Sequence, residues 1–243
     1  LIANAANGLE HTMQDRLQRH LLAQLVTLGD HNITGLLCAC GRESLDWSSD
    51  YRMYSRQRVE PEQLFRQVQT SLLKQLPPAE PVVVAVDDTR IRKSGRKVAG
   101  AKYTRDPLGP PFHTNFIWAQ RFLQLSMAGG SPECSRMIPV GWQHAPTPKK
   151  PGAKASDAER EAYRKACREL SVGKVATAQL QQTRTWLDQQ GQQQRQLWCV
   201  GDGGFTNRTV LKNLPENTTF LGRIRSDATL YYLPQPPPEG RTG

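Results

Sequence analysis

Two different hydrophobic periods divide this chain. From Leu9 to Leu28 apolar residues recur every four positions, at Leu9, Met13, Leu17, Leu21 and Leu25, with Leu22, Val26 and Leu28 widening the stripe. That spacing predicts an amphipathic helix, which Gly29-Asp30 ends. The stretch from His31 to Arg58, with Trp47, Tyr51 and Tyr54, has no clean period and reads as short helix or loop. A second helical stripe, Leu64, Val68, Leu72 and Leu76, runs from about Glu60 to Leu76, opened by Pro61 and stopped by Pro77-Pro78. Residues 1–77 are therefore expected to be a helical N-terminal region, and residues 78–243 a single α/β domain.

At Pro81 the pattern changes. Val82 to Val86 is an unbroken apolar run, which reads as a strand buried on both faces at the centre of a mixed or parallel sheet. It drives into Asp87 and Asp88 and then a basic loop with Arg90, Arg92, Lys93, Arg96 and Lys97. Lys97 to Tyr103, Thr114 to Met127 and Met137 to Gln143 read as further strands, the first two separated by a proline-bounded turn at 106–111. Ala145 to Ala155 is an exposed connection. Asp157 to Gln190 predicts helix in two pieces meeting at Gly173, with one seam of Ala158, Ala162, Ala166 and Leu170 and another of Leu180, Trp186 and Leu187. Then come a strand over Gln196 to Val200, the turn Gly201-Asp202-Gly203-Gly204-Phe205, a helix over Thr206 to Leu214 capped by Thr206 or Asn207, and strands at Thr218 to Ile224 and Leu230 to Leu233. Strands, then helix, then strand-turn-helix mark a layered α/β sheet.

Composition narrows the partner. Thirty-two Lys and Arg against 22 Asp and Glu leave a net charge of +10 on 243 residues, with a pI near 9.6. Such a surplus favours polyanions, nucleic acid first. No apolar run reaches 18 residues and no signal pattern opens the chain, so a soluble, cytoplasmic protein with no membrane partner is expected. The five cysteines, Cys38, Cys40, Cys134, Cys167 and Cys199, make no disulfide framework. His31, Cys38 and Cys40 are a weak zinc signature.

The chemistry-bearing candidates are strand-end carboxylates: Asp87 with Asp88, and Asp202. Active sites of open sheets gather at the carboxyl ends of strands, so these acids meet if their strands are neighbours. Paired acids of this kind hold divalent cations for phosphodiester cleavage. The bland alternative pairs Asp87 or Asp88 with Arg90 or Arg92 and leaves Asp202 to shape a glycine-rich turn. No Gly-x4-Gly-Lys-Ser/Thr cradle, HExxH or Gly-x-Ser-x-Gly motif occurs. His113 is the one histidine close in sequence to the basic loop.

Two segments carry a resemblance. VVVAVDDTRIRKSGRKVAG resembles the first-Asp segment of bacterial insertion-sequence DDE transposases, where a strand ends in Asp-Asp/Glu-Thr before a Lys/Gly-rich loop. LWCVGDGGFTNRTVL is similar to their second-Asp segment, and the likeness extends over residues 40–230 through RDPLGPPFHTNFIWAQRFLQ and HAPTPKKPGAKAS. The resemblance implies an RNase H-like mixed sheet flanked by helices, with Asp87 and Asp202 as catalytic acids and Asp87, Asp88 and Asp202 as the acidic set for two Mg²⁺ or Mn²⁺ ions. A pleated strand lets only one of Asp87 and Asp88 face the ions, and Asp87 is the choice. It implies hydrolysis at element ends and strand transfer into target double-stranded DNA, by a homodimer on DNA in the bacterial nucleoid. Arg90, Arg92, Lys93, Arg96, Lys97 and Lys102 would contact phosphates.

The family pattern also needs a Glu on a later helix. Glu216 and Glu239 sit in proline-flanked text, so the third acid is expected beyond residue 243 and the chain is expected to be truncated before it. Two other readings stay open: a DNA-binding protein derived from such an enzyme and no longer catalytic, and an unrelated metal nuclease on the same sheet.

Overall fold

Six strands build one mixed sheet: β1 (Val82–Arg92), β2 (Lys102–Arg105), β3 (Phe116–Gly129), β4 (Arg136–His144), β5 (Leu197–Gly201) and β6 (Thr218–Gly222). The structure is a computed structural model and describes residues 10–57, 60–110, 112–224, 226–229 and 231–232. The order across the sheet is β2-β3-β1-β5-β6, with β4 also paired to β3. β1 lies antiparallel to β3 and parallel to β5, and β5 lies parallel to β6. An antiparallel meander on one side of β1 and parallel strands on the other is the RNase H-like arrangement.

Seven helices accompany the sheet among the described residues: α1 (His11–Val26), α2 (Ile33–Ala39), α3 (Ser48–Met53), α4 (Pro61–Leu73), α5 (Asp157–Glu169), α6 (Val172–Gln189) and the single turn α7 (Arg208–Leu211). Their starts follow local chemistry. Pro61 opens α4, Ser156 and Glu159 form a reciprocal capping box on α5, and Ser171 and Asn207 accept from backbone N–H groups at the heads of α6 and α7.

The core lies on one side of the sheet. Val82, Val84 and Val86 of β1, Leu123, Leu125 and Met127 of β3, and Leu197 and Cys199 of β5 pack against Leu72 of α4 and Ala176, Leu180 and Leu187 of α6. Two buried arginines tie the chain ends of that layer together. Arg184 donates to the Arg195 and Gln192 carbonyls at 2.6 and 2.7 Å, and Arg195 donates to the Glu80 carbonyl at 2.7 Å, just before β1.

Several expectations need correction. The Val82–Val86 run is buried on one face only: Val83 and Ala85 are half-buried, and their β5 neighbours Trp198 and Val200 are exposed. The reason is that α4 and α6 both land on the Val84 side. β1 runs on through Arg90 and Arg92 instead of ending at the acids, because β3 pairs with it as far as Arg92 opposite Ala119. The second strand begins at Lys102, after Gly100 turns the chain at φ +72°. The helical break falls at Leu170-Ser171, where Ser171 caps α6, and Gly173 lies inside α6. No residue of α5 is buried, and of its alanine seam only Ala166 is half-buried. The helix after Asp202 is one turn, α4 stops at Leu73, and β6 stops at Gly222. Of the Leu230–Leu233 expectation, Leu230 and Leu233 lie outside the described residues, and Tyr231 and Tyr232 are not in a strand.

In α1 the fully buried positions are not the leucines, although α2 buries Leu36 and Leu37. Leu25 of α1 is 81% exposed, while His20 and Ala23 are buried. His20 bonds Asp50 of α3 through Nε2 at 2.9 Å and the Tyr54 hydroxyl through Nδ1 at 3.0 Å. Arg16 and Arg19 each approach the same Asp50 oxygen at 3.5 Å. Burial alone would raise the Asp50 carboxyl, but the His20 bond and the Arg19, His20 and Arg16 charges outweigh it and hold the group below the ordinary range. Among the described residues no helix is long and apolar enough to cross a membrane.

Candidate active site

The sheet alternates side chains between its two faces, and that alternation separates the two adjacent aspartates. Asp88 follows Val84 and Val86 onto the helix-covered side, opposite Leu123 of β3. There its Oδ2 lies 3.4 Å from Arg90 Nη1. Asp87 follows Val83 and Ala85 onto the open side, where it is exposed.

β5 brings the second acid to the same region. Val86 pairs with Gly201, the last residue of β5. Asp87 and Asp202 are therefore each the next residue after the last β1–β5 pair, on strands about 4.8 Å apart. The local sequence explains the turn. A Cβ at Gly201 would lie 2.8 Å from the Phe220 ring and 3.2 Å from Phe205 Cβ, so any larger residue there would have to displace Phe220. Phe205, 1% exposed, plugs into the core and pulls the turn closed. The Asp202 carboxylate accepts from Gly204 N–H through Oδ1 at 2.8 Å, and its carbonyl accepts from Phe205 N–H at 3.1 Å. Asp202 therefore shapes its own turn as well as presenting an acid.

These groups suit a hard cation. Asp87 Oδ1 accepts from the Asp88 N–H at 2.8 Å, and Asp202 Oδ1 is held by Gly204. In each case the other carboxylate oxygen has no hydrogen bond among the described residues. Two oxygen donors from neighbouring strands match the way Mg²⁺ or Mn²⁺ is held, by one or two carboxylates with waters and substrate phosphates completing the shell. Asp88 cannot reach the same ion from the opposite face. Among the described residues no cluster of three acidic, histidine or cysteine side chains is placed to hold a metal. Glu216 is exposed in the turn before β6, and Glu239 lies outside the described residues. His113 is exposed in the turn after Pro110.

The basic residues divide between the faces as well. The loop from Lys93 to Ala101 folds over the open side, tied by Trp118 Nε1 to the Gly95 carbonyl at 2.9 Å and by Gln120 Nε2 to the Ala99 carbonyl at 2.7 Å. Lys93 is half-buried at the end of the ladder, while Arg96 and Lys97 are exposed. Arg90 and Lys102 lie on the other side of the sheet. Arg92 is bound to Asp106 at 2.6 Å. Asp106 in turn accepts from Leu108 N–H at 3.1 Å. That backbone bond holds its carboxyl low against the opposing effect of burial, with Arg92 adding to it. Arg92 thus secures the proline-bounded turn and has less of its charge to offer.

Sequence reasoning passed over several residues of this region. Phe122 stacks on Trp142, with centroids 5.2 Å apart, and leans on His144 at 5.1 Å. All three share the Asp87 face through the pairings Asp87–Gln124, Gln124–Trp142 and Phe122–His144. The period-2 alternation within Phe116 to Gly129 was the available signal. Arg223 and Asp227 line an open hollow of about 830 Å³ with Asp202, and nothing in the local sequence marks them.

A family model described as DDE superfamily endonuclease matches residues 5–243. No curated protein and no solved structure matches the chain.

Proposed function

This chain belongs to the DDE superfamily endonucleases, a nuclease-type family, and from that footing we propose that it is a DNA transposase of the bacterial insertion-sequence kind. It hydrolyses phosphodiester bonds at element ends and joins the freed 3′-hydroxyl to target DNA. The observation that carries the reading is the register of β1 on β5, which supports Asp87 and Asp202 as neighbours on one open face. A divalent cation, Mg²⁺ or Mn²⁺, held between them would make water a better nucleophile and steady the leaving oxygen. The chain's own contribution is to fix the two carboxylates on a rigid sheet. It also carries Arg96 and Lys97 on the loop tied over the same face, where a phosphate backbone can run. A homodimer on double-stranded DNA is part of the same proposal.

The test has two arms. Calorimetric titration with Mn²⁺ should show binding that Asp87→Asn and Asp202→Asn each remove and Asp88→Asn keeps. Cleavage of labelled element-end DNA in Mg²⁺, by protein that also carries the third acid, should be lost in the same two variants. DNA binding without cleavage, together with no Mn²⁺ binding by the unaltered chain, would turn the reading to a DNA-binding protein that no longer cuts.

A further inference from the structure

On the helix-covered side, just beyond the apolar core, the strand register sets like charge against like. Arg90 of β1 is the cross-strand partner of Arg121 of β3, and alternation sends both guanidiniums to the side of Val86 and Leu125. Like charges directly opposite one another weaken a ladder. Lys102 of β2, opposite Ala119, adds a third cation on that side. With Thr104, Thr147 and Gly100 these three line a cavity of about 30 Å³.

The protein's own counter-charge falls short. Asp88 is the acid nearest to them, 3.4 Å from Arg90 Nη1, and its Oδ2 is buried with no hydrogen bond. Arg90 spends its Nε on the Thr104 hydroxyl at 3.1 Å, and Arg121 spends its Nε on the Ala145 carbonyl at 3.3 Å. Among the described residues the terminal nitrogens of Arg121 and the Lys102 ammonium have no hydrogen bond or ion pair. Burial pushes the Arg121 guanidinium down, Asp88 pushes it back up and Arg90 pushes it down again. Three cations against one acid leave the cluster with a surplus of two positive charges.

We propose that the cavity bounded by Arg90, Lys102 and Arg121 is a phosphate subsite for a nucleic-acid backbone, reached around the free edge of β1. Terminal guanidinium nitrogens from two strands, an ammonium and the Thr147 hydroxyl match a tetrahedral oxyanion. A water needs roughly 10–15 Å³ of such space, so the cavity admits phosphate oxygens while the sugar and base stay outside. Among the described residues no strand pairs with β1 past Val86 on the β5 side, so its edge from Asp87 to Arg92 has no ladder partner there. Asp87 and Arg90 are separated by three residues, roughly 10 Å of strand. A backbone crossing that edge can therefore touch both. The proposal rests on the DNA reading above and adds a contact that the acidic pair does not make.

The experiment compares the unaltered chain with Arg121→Gln and Arg121→Lys. Thermal midpoints are read in inorganic phosphate and in chloride at equal ionic strength, and DNA affinity is read across a salt series. Arg121→Gln should raise the midpoint in chloride, because it removes a like-charge neighbour, and should lose the stabilisation by phosphate. The slope of log affinity against log salt should become shallower by about 0.9, one phosphate contact. Arg121→Lys should keep that slope and bind more weakly at every salt. An unchanged slope in Arg121→Gln overturns the proposal, as does a lower midpoint with phosphate protection intact, which would make Arg121 a strut for Ala145. Phosphate protection lost with the slope unchanged also overturns it and makes the cavity a site for free phosphate. Asp87→Asn separates this from the wider reading: it should remove Mn²⁺ binding and leave the slope of the unaltered chain in place.

Discussion

Exchanging the two adjacent aspartates for asparagine, one at a time, should give opposite results. Asp88 stands 3.4 Å from Arg90 Nη1 with its side chain 25% exposed, and it also offsets Arg121. Coulomb's law at that separation gives about 1.2 kcal/mol in a water-like medium and about 5 kcal/mol at an effective dielectric of 20. A quarter-exposed pair with no hydrogen bond lies nearer the lower figure, so Asp88→Asn should cost about 1–2 kcal/mol. For a chain of this length each kcal/mol moves the midpoint by about 2–4 °C, which places the loss at about 2–8 °C. Asp87 has no cation within ion-pair distance among the described residues and is exposed. Asp87→Asn should therefore stay within about 0.5 kcal/mol of the unaltered chain, and yet it should abolish stabilisation by Mn²⁺. Both are read in one set of thermal melts, with and without the ion. Loss of Mn²⁺ stabilisation in Asp88→Asn alone, with Asp87→Asn unaffected, would show that the strand is turned the other way and would sink the site assignment.

Gly201→Ala should destabilise by about 1–3 kcal/mol through overpacking, because its Cβ would sit 2.8 Å from the Phe220 ring and 3.2 Å from Phe205 Cβ; urea melts measure it, and a neutral result would show that Phe220 moves aside. The Asp50 carboxyl is held low, so its stabilising share is fully present above its unfolded value near pH 4 and is lost as pH falls through the lower folded value. Helix loss followed by circular dichroism from pH 5 downward should accordingly be less steep in Asp50→Asn, and an identical profile would remove Asp50 from the account. Burial pushes the Cys199 thiol up to about 12, so at pH 8 iodoacetamide should label exposed Cys38 and Cys134 and spare Cys199 until the chain unfolds; native labelling of Cys199 would contradict the packing of β1 on β5.

What the sequence revealed and what it hid follow from the same strand. Val82 to Val86 announced a central strand, but five apolar residues in a row conceal the alternation, so the open face stayed invisible. That face is set by where α4 and α6 land, which is a matter of tertiary packing. Asp87 and Asp202 stood out as candidates because each follows an apolar run. That they would meet was an expectation conditional on neighbouring strands, and the pairing of β1 with β5 up to Val86–Gly201 supplies that condition. Arg121 sits unremarkably within FIWAQRFLQ, and its meaning appears once β3 lies antiparallel to β1. The His20–Asp50 bond joins residues 30 apart on separate helices, and no period connects them.

The two faces of β1 also explain why consecutive acids can do different work in one strand. On the open side Asp87 has no cation within ion-pair distance among the described residues, so an Asp202 carboxylate beside it would be costly until something positive arrived, and a divalent ion would remove that cost. On the covered side the imbalance is reversed: Arg90, Lys102 and Arg121 outnumber Asp88, and an incoming phosphate relieves them. Each face lacks what a metal-bound nucleic acid brings, the cation on one side and the anion on the other. The two deficits are coupled through a strand only one residue wide, so binding at one face should tighten the other. In the unaltered chain Mn²⁺ should raise DNA affinity beyond what the same ionic strength of Na⁺ does. In Asp87→Asn that gain should vanish while affinity in Na⁺ stays the same or improves.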